Sequence, residues 1–282
     1  MNPNYITYLK AHNCSEKTIG NYLHYVQQAL DYIDKHEANI TYMDLMAWSL
    51  TFKNLAINSR NIRIAAVRNY FTFLTDIGAI HTNPAEKFKR EKVRDGDTKQ
   101  KPYIEAQWLR DMVNACGTLR DKAIVLLYAT TGLRVSELTG ITVDDYNNLD
   151  GENNRELTIV GKGNKKRKVY IVDEVKEAID RYLASKPERH CDCLFVSMRG
   201  NRIATNNLNG TIKKIAREAG LPCWEQMSNH VLRSAYATTK NEQGVPLTTI
   251  QKAMGHSKIE TTMIYIKNTQ HNINASMQDM AF

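Results

Sequence analysis

Between Lys87 and Lys101 apolar residues nearly vanish, and no single hydrophobic core can be drawn through that stretch. Lys87, Lys89, Arg90, Lys92, Arg94, Lys99 and Lys101 are interleaved there with Glu91, Asp95, Gly96 and Asp97, and Pro102 closes the run. Such a segment can fill neither a helical stripe nor a strand face, so it reads as a linker. It divides the chain into residues 1–86, a basic linker 87–101, and residues 102–282. A length of 282 residues suits two compact domains, and a hydrophobic content of 42% is enough to bury both. A linker that only joined domains would not need so much positive charge. One that crosses a nucleic-acid backbone would gain from it.

The first part reads as helical. Lys17 to Ile33 carries Ile19, Leu23, Val26, Leu30 and Ile33 at helical spacing, with Ser15 placed as an N-cap. Asn61 to Leu74 repeats the pattern with Ile64, Val67, Tyr70, Phe71 and Leu74. Arg60, Arg63 and Arg68 lie along this segment, as a nucleic-acid-binding face or as ordinary solvated charge. In the second part, Leu119 to Ala129 predicts a buried helix, broken at Thr131-Gly132, and Arg134 opens a short helix through Leu138. Glu137 lies three residues beyond Arg134 and shares its face. The period then changes. Residues 156–160 and 168–172 read as two strands, joined by Gly161-Lys162-Gly163-Asn164-Lys165-Lys166-Arg167 as a basic hairpin. Helices are expected again over 175–183, 208–219, 229–243 and 247–254, the last three stopped by Gly220, Gly244 and Gly255. The fold class is therefore mainly α with a small β-hairpin (α+β), in two domains.

A net charge of +8 and a pI near 9.1 point to a polyanionic partner, nucleic acid first. Five cysteines, an odd number without zinc-finger spacing, read as reduced thiols of a cytoplasmic protein. No apolar run has membrane-spanning length, so no membrane partner is expected. Gly161-Lys162-Gly163 lacks the spacing of an ATP-binding loop, and no carboxylate cluster suggests a two-metal nuclease site.

The residues that carry chemistry gather near the C-terminus: His230, Arg233, His256 and Tyr265. Arginine grips phosphate oxygens by a planar fork, histidine moves protons, and a tyrosine phenol can attack phosphorus and leave again. Upstream, Arg134 could complete a clamp on the charge that develops at the non-bridging oxygens. Lys162 on the hairpin could protonate the departing oxygen. This scheme needs no metal and no other cofactor. Taken singly, each residue has an ordinary role: Arg134 as an ion-pair partner of Glu137, Lys162 as a hairpin lysine, the histidines as helix-end contacts, Tyr265 as a core aromatic.

Together and in this order they closely resemble the tyrosine recombinases, the integrase family that includes the Xer proteins. Thr131-Gly132-Leu133-Arg134-Val135-Ser136-Glu137-Leu138 is similar to the first arginine box, Gly161 to Arg167 to the hairpin lysine motif, and His230-Val231-Leu232-Arg233 to the His-x-x-Arg box. Gly255-His256-Ser257 and Thr261-Thr262-Met263-Ile264-Tyr265 are similar to the last histidine and the nucleophile. The departures are Ser234, where a further histidine is common, and Tyr170, where a proline is common. Neither touches the catalytic set.

The resemblance implies a SAM-like core-binding domain over 1–86 and a catalytic domain over 102–282. It implies that Tyr265 forms a 3′-phosphotyrosyl link, Arg134 and Arg233 bind the phosphate, and Glu137 orients Arg134. Lys162 would protonate the 5′ oxygen, with His230 and His256 assisting. Arg60, Arg63, Arg68, Lys99, Lys101, Lys165, Lys166 and Arg167 would contact DNA. The implied partner is duplex DNA with inverted-repeat core sites, bound by four copies of this chain, or by this chain with a paralogue, at the nucleoid. Ile273, Met277 and Met280 have helical spacing in a tail that would dock between protomers or else fray. A type IB topoisomerase and a DNA-binding protein without activity are the alternatives. The intact set of six argues against the second.

Overall fold

A computed structural model describes residues 1–93, 102–150, 154–161, 166–185, 187–256, 259, 262 and 263. The chain forms two compact units, Met1–Lys99 and Gln100–Phe282. Among the described residues both are helical apart from one two-stranded sheet, the α+β character expected from the changes of period.

The first unit holds α1 (Tyr5–Ala11), α2 (Glu16–Ile33), α3 (Tyr42–Leu50) and α4 (Ile57–Asp76). Ser15 caps α2 by accepting from the Thr18 amide at 3.2 Å. Thr41 and Asp44 close a reciprocal capping box on α3, a helix that the sequence pattern did not single out. Helix α4 is the centre of the unit: Ile64, Ala66, Val67, Tyr70, Phe71, Phe73 and Leu74 are all buried, around much of its circumference. It packs on α2, with Tyr5 of α1 set edge-on to Tyr70 at 4.9 Å between ring centres. Phe88 is buried in the same core, and Glu91 exchanges hydrogen bonds with the Asn61 side chain at 2.8 and 2.9 Å. Residues at the start of the expected linker are thus held by the first unit.

The second unit is built around α6 (Leu119–Thr131), whose residues Ala123 to Tyr128 are all buried. Helices α5 (Ala106–Asn114), α9 (Asp173–Ala184) and α11 (Asn229–Glu242) pack on it. The short α7 (Val135–Leu138) and α8 (Val143–Asn147) follow α6, and α10 (Thr205–Glu218) and α12 (Leu247–Met254) lie further along the chain. Strands β1 (Glu156–Val160) and β2 (Lys166–Tyr170) pair antiparallel, with Leu157 opposite Val169 and Ile159 opposite Arg167.

The sequence pattern places β2 over 168–172, two residues late. Pairing with the five residues of β1 draws Lys166 and Arg167 out of the expected loop and into the strand. Because side chains alternate between faces, Arg167 lies on the same face as the buried Leu157, Ile159 and Val169, and Lys166 on the exposed one. No helix among the described residues is long and apolar enough to cross a membrane.

Candidate active site

Three breaks in the chain meet in the second unit. Gly132 ends α6 in the left-handed conformation at φ +58°, and Gly255 ends α12 in the same way at φ +65°. Ser228 caps α11 by accepting from the Val231 amide, and Arg233 and Tyr236, farther along that helix, meet the Gly132 break. The glycine at 132 is required twice over. A β carbon there would stand 2.4 Å from the Tyr236 ring, and the positive φ is itself costly for any side chain. Gly132→Ala is expected to lower stability by about 2 kcal/mol or more, from the backbone strain and the displaced ring together. Thermal unfolding of the second unit measures it, and an unchanged midpoint would contradict the packing described.

Arg233 projects from the second turn of α11 into this junction, and its side chain is only 2% exposed. Its guanidinium donates to the Gly132 carbonyl, to the Met254 carbonyl at 2.6 Å, and to His256 Nε2 at 2.7 Å. His256 therefore accepts at Nε2, and its Nδ1 hydrogen is directed to Thr262 Oγ at 2.8 Å. Burial and the nearby charges of Arg233, Arg134 and Arg167 lower the His256 pKa to about 4, so the imidazole is neutral at ordinary pH.

Arg134 stands at the N-cap of α7. Its amide and its Nη1 donate to Glu137 at 2.7 and 2.8 Å, and its Nη2 donates to the Gly255 carbonyl at 2.9 Å. Glu137, 2% exposed, also receives both terminal nitrogens of Arg167 at 2.7 and 2.8 Å, and lies 4.0 Å from Arg233. Burial opposes ionisation of this carboxyl, but hydrogen bonds from Arg167 and from the Arg134 amide and side chain outweigh it and hold the pKa at about 2. Three guanidinium charges against one carboxylate, beside a neutral imidazole, leave a cationic excess.

That excess faces a cavity of about 310 Å³ lined by Arg134, Ser136, Asn229, His230, Arg233 and His256. His230 is exposed at its wall. A positively charged recess with fixed N–H donors suits a phosphate group.

Of the residues singled out from sequence, Arg134, Glu137, His230, Arg233 and His256 come together here. Tyr265 and Lys162 lie outside the described residues, as do Lys99, Lys101, Lys165 and the apolar tail. Lys166 is exposed on β2.

Arg167, expected to face DNA, is turned inward by the strand register. Arg60, expected on the same surface, forks onto Glu91 at 2.8 and 2.5 Å and donates to two backbone carbonyls. Arg63 lies over the Tyr25 ring at 4.5 Å and donates to the Ser59 carbonyl. Arg68 is half-buried and borders a depression shared with Lys89, Arg90 and Asn69.

Sequence reasoning missed Thr262 as the partner of His256 and missed the two glycine carbonyls as anchors for the arginines. It also missed Asn229, which lines the cavity with both polar side-chain atoms buried and unpaired. Among the described residues no group of side chains could hold a metal ion.

Comparison with known proteins adds to this geometry. Residues 103–272 match the phage integrase family, and residues 3–78 match the phage integrase N-terminal SAM-like domain. Tyrosine recombinase XerC of Roseiflexus castenholzii is 30% identical over 269 residues, covering 90% of this chain and 83% of the relative. Tyrosine recombinase XerA of Pyrococcus horikoshii is 29% identical over 279 residues, covering 97% and 91%. Among solved structures, XerH site-specific recombinase bound to palindromic difH substrate, in a post-cleavage complex, superposes with a TM-score of 0.76 at 19% identity, covering 95% of this chain and 81% of that one. A lambda integrase dimer bound to a COC′ core site gives 0.74 at 17% identity, covering 95% and 77%.

Proposed function

This chain belongs to the phage integrase family, among the Xer-like tyrosine recombinases, and on that premise we propose how its residues break and rejoin DNA in site-specific recombination. The phenolic oxygen of Tyr265 attacks the scissile phosphorus and forms a 3′-phosphotyrosyl ester. The bond from phosphorus to the 5′ oxygen breaks, and Lys162 supplies the proton that lets it leave as a hydroxyl. His230, exposed at the cavity wall, takes the phenolic proton. Arg134 and Arg233 hold the non-bridging oxygens as charge gathers on them. Glu137 fixes the plane of Arg134. His256 enters as a neutral imidazole whose Nε2 holds Arg233 in place. One phosphate ester replaces another at each step, so rejoining draws on the phosphotyrosyl bond itself, without ATP.

The observation that carries this reading is the convergence of Arg134, Arg233, His230 and His256 on one cationic cavity. Residues 1–86 act as the core-binding domain, the linker 87–101 crosses the DNA backbone, and residues 102–282 carry out the chemistry. The partner is duplex DNA with inverted-repeat core sites, occupied by four protomers at the nucleoid, each lending its tail beyond Tyr265 to a neighbour. The test is a nicked suicide duplex, from which the short fragment that carries the freed 5′-hydroxyl diffuses away. The wild-type chain should trap a covalent adduct whose labelled peptide maps to Tyr265. No adduct, or an adduct on another residue, overturns the assignment. Relaxation of supercoils without strand exchange between paired sites would indicate topoisomerase activity instead.

A further inference from the structure

We propose that Arg167 is a positioning residue for strand cleavage: it locks Glu137, the start of β2 and the turn before His256 into one frame. The inference rests on the recombinase reading above and replaces the DNA contact expected of Arg167 with a role inside the site.

The register of the sheet turns Arg167 inward, opposite Ile159 and in line with the buried Val169. Its side chain is 13% exposed, whereas its neighbours Lys166 and Lys168 are exposed on the other face, where Lys168 pairs with Glu156 at 3.0 Å. All three nitrogens of the Arg167 guanidinium have partners. Nη1 and Nη2 take the two oxygens of Glu137 at 2.7 and 2.8 Å, and Nε donates to the Ala253 carbonyl near the end of α12 at 2.9 Å. Gly255 leaves room for this passage: a β carbon there would meet Arg167 Cδ and Nη1 at 3.2 Å.

Each Glu137 oxygen is thereby shared between Arg167 and Arg134. Oε1 accepts from both Nη1 atoms, and Oε2 accepts from the Arg134 amide and Arg167 Nη2. A carboxylate gripped on both oxygens by a fork cannot rotate, so the Arg134 side chain is held at a fixed orientation toward the cavity. The same fork anchors β2, the strand that follows Lys162 in the chain. A lysine at position 167 could supply the charge but not the fork.

The competing use of Arg167 is direct contact with a DNA phosphate, and the two roles separate in solution. A lost phosphate contact lowers the salt dependence of binding by about one unit of slope and leaves cleavage at saturating DNA unchanged. A lost positioning contact leaves the slope alone and slows cleavage. Arg167→Gln and Arg167→Lys would be compared with wild type in the full chain, with Lys166→Gln as the comparator on the exposed face. DNA affinity is measured across salt concentration, and single-turnover adduct formation on the suicide duplex across pH.

The expected result for Arg167→Gln is a wild-type salt slope, cleavage slower by about 10²-fold, and an acid limb moved to higher pH as Glu137 loses a partner. Arg167→Lys, which keeps the charge should the glutamine variant fail to fold, is expected to recover only part of the rate. A reduced slope with unchanged cleavage, or an unchanged rate and pH profile in both variants, overturns the inference. Absence of adduct with the wild-type chain overturns the functional reading instead.

Discussion

Arg233→Lys should slow formation of the covalent DNA complex by about 10²–10³-fold at saturating DNA, with affinity changed far less. The reason lies in how the guanidinium is held. Its side chain is 2% exposed and reaches the Gly132 carbonyl, the Met254 carbonyl and His256 Nε2 at once. Those three acceptors come from the end of α6, the end of α12 and the turn beyond it, so one planar group aligns three separate pieces of chain. An ammonium is a compact point charge on a flexible stem and cannot reproduce that plane. The remaining acceptors would lose their donors in a buried site, and the phosphate would lose a preorganised contact in the transition state. Binding is spread over many DNA contacts and should survive, so the loss falls on the single-turnover rate. Cleavage by the Arg233→Lys variant within about fivefold of wild type would show that Arg233 does not contact the reacting phosphate.

Much of this arrangement was legible in the sequence, because it depends on signals local in the chain. Gly132 and Gly255 marked the helix ends that the structure places on either side of Arg233, and Ser15 marked the start of α2. The spacing of His230 and Arg233 put both on one turn of α11. What was not legible depends on pairing across distance. The run Lys165-Lys166-Arg167 looks like part of a uniform charged loop, and only the register of β2 against β1 separates the inward Arg167 from the outward Lys166 and Lys168. Arg60 likewise looked like a surface cation until the chain beyond Phe88 returned to bring Glu91 beside it. Helices α3 and α8 were not singled out, for a different reason. They are short, and their stability comes from caps such as Thr41 with Asp44 and from packing, not from a long apolar stripe.

Glu137→Gln is expected to destabilise the second unit by about 3–5 kcal/mol and to slow cleavage as well, because it removes the one anion among three cations. Arg134 and Arg167 pair with Glu137 directly and Arg233 stands 4.0 Å away. A glutamine keeps the shape, but its NH₂ group must face a guanidinium, and the cations lose their compensation around a position that is itself 2% exposed. The pH dependence distinguishes this account from a simple loss of packing. The folded pKa of Glu137 is about 2 against an ordinary 4.5, so the unfolded chain binds the proton more readily. The stabilisation is therefore fully present above pH 4.5 and is lost as the pH falls through 2. The shift corresponds to something on the order of 3 kcal/mol. The stability gap between wild type and Glu137→Gln should consequently be widest at neutral pH and narrow steadily between pH 4.5 and 2. Urea unfolding of both proteins across that range measures it. A gap that stayed constant with pH would mean that Glu137 acts there by shape alone, and the ion-pair basis for holding Arg134 in place would have to be abandoned.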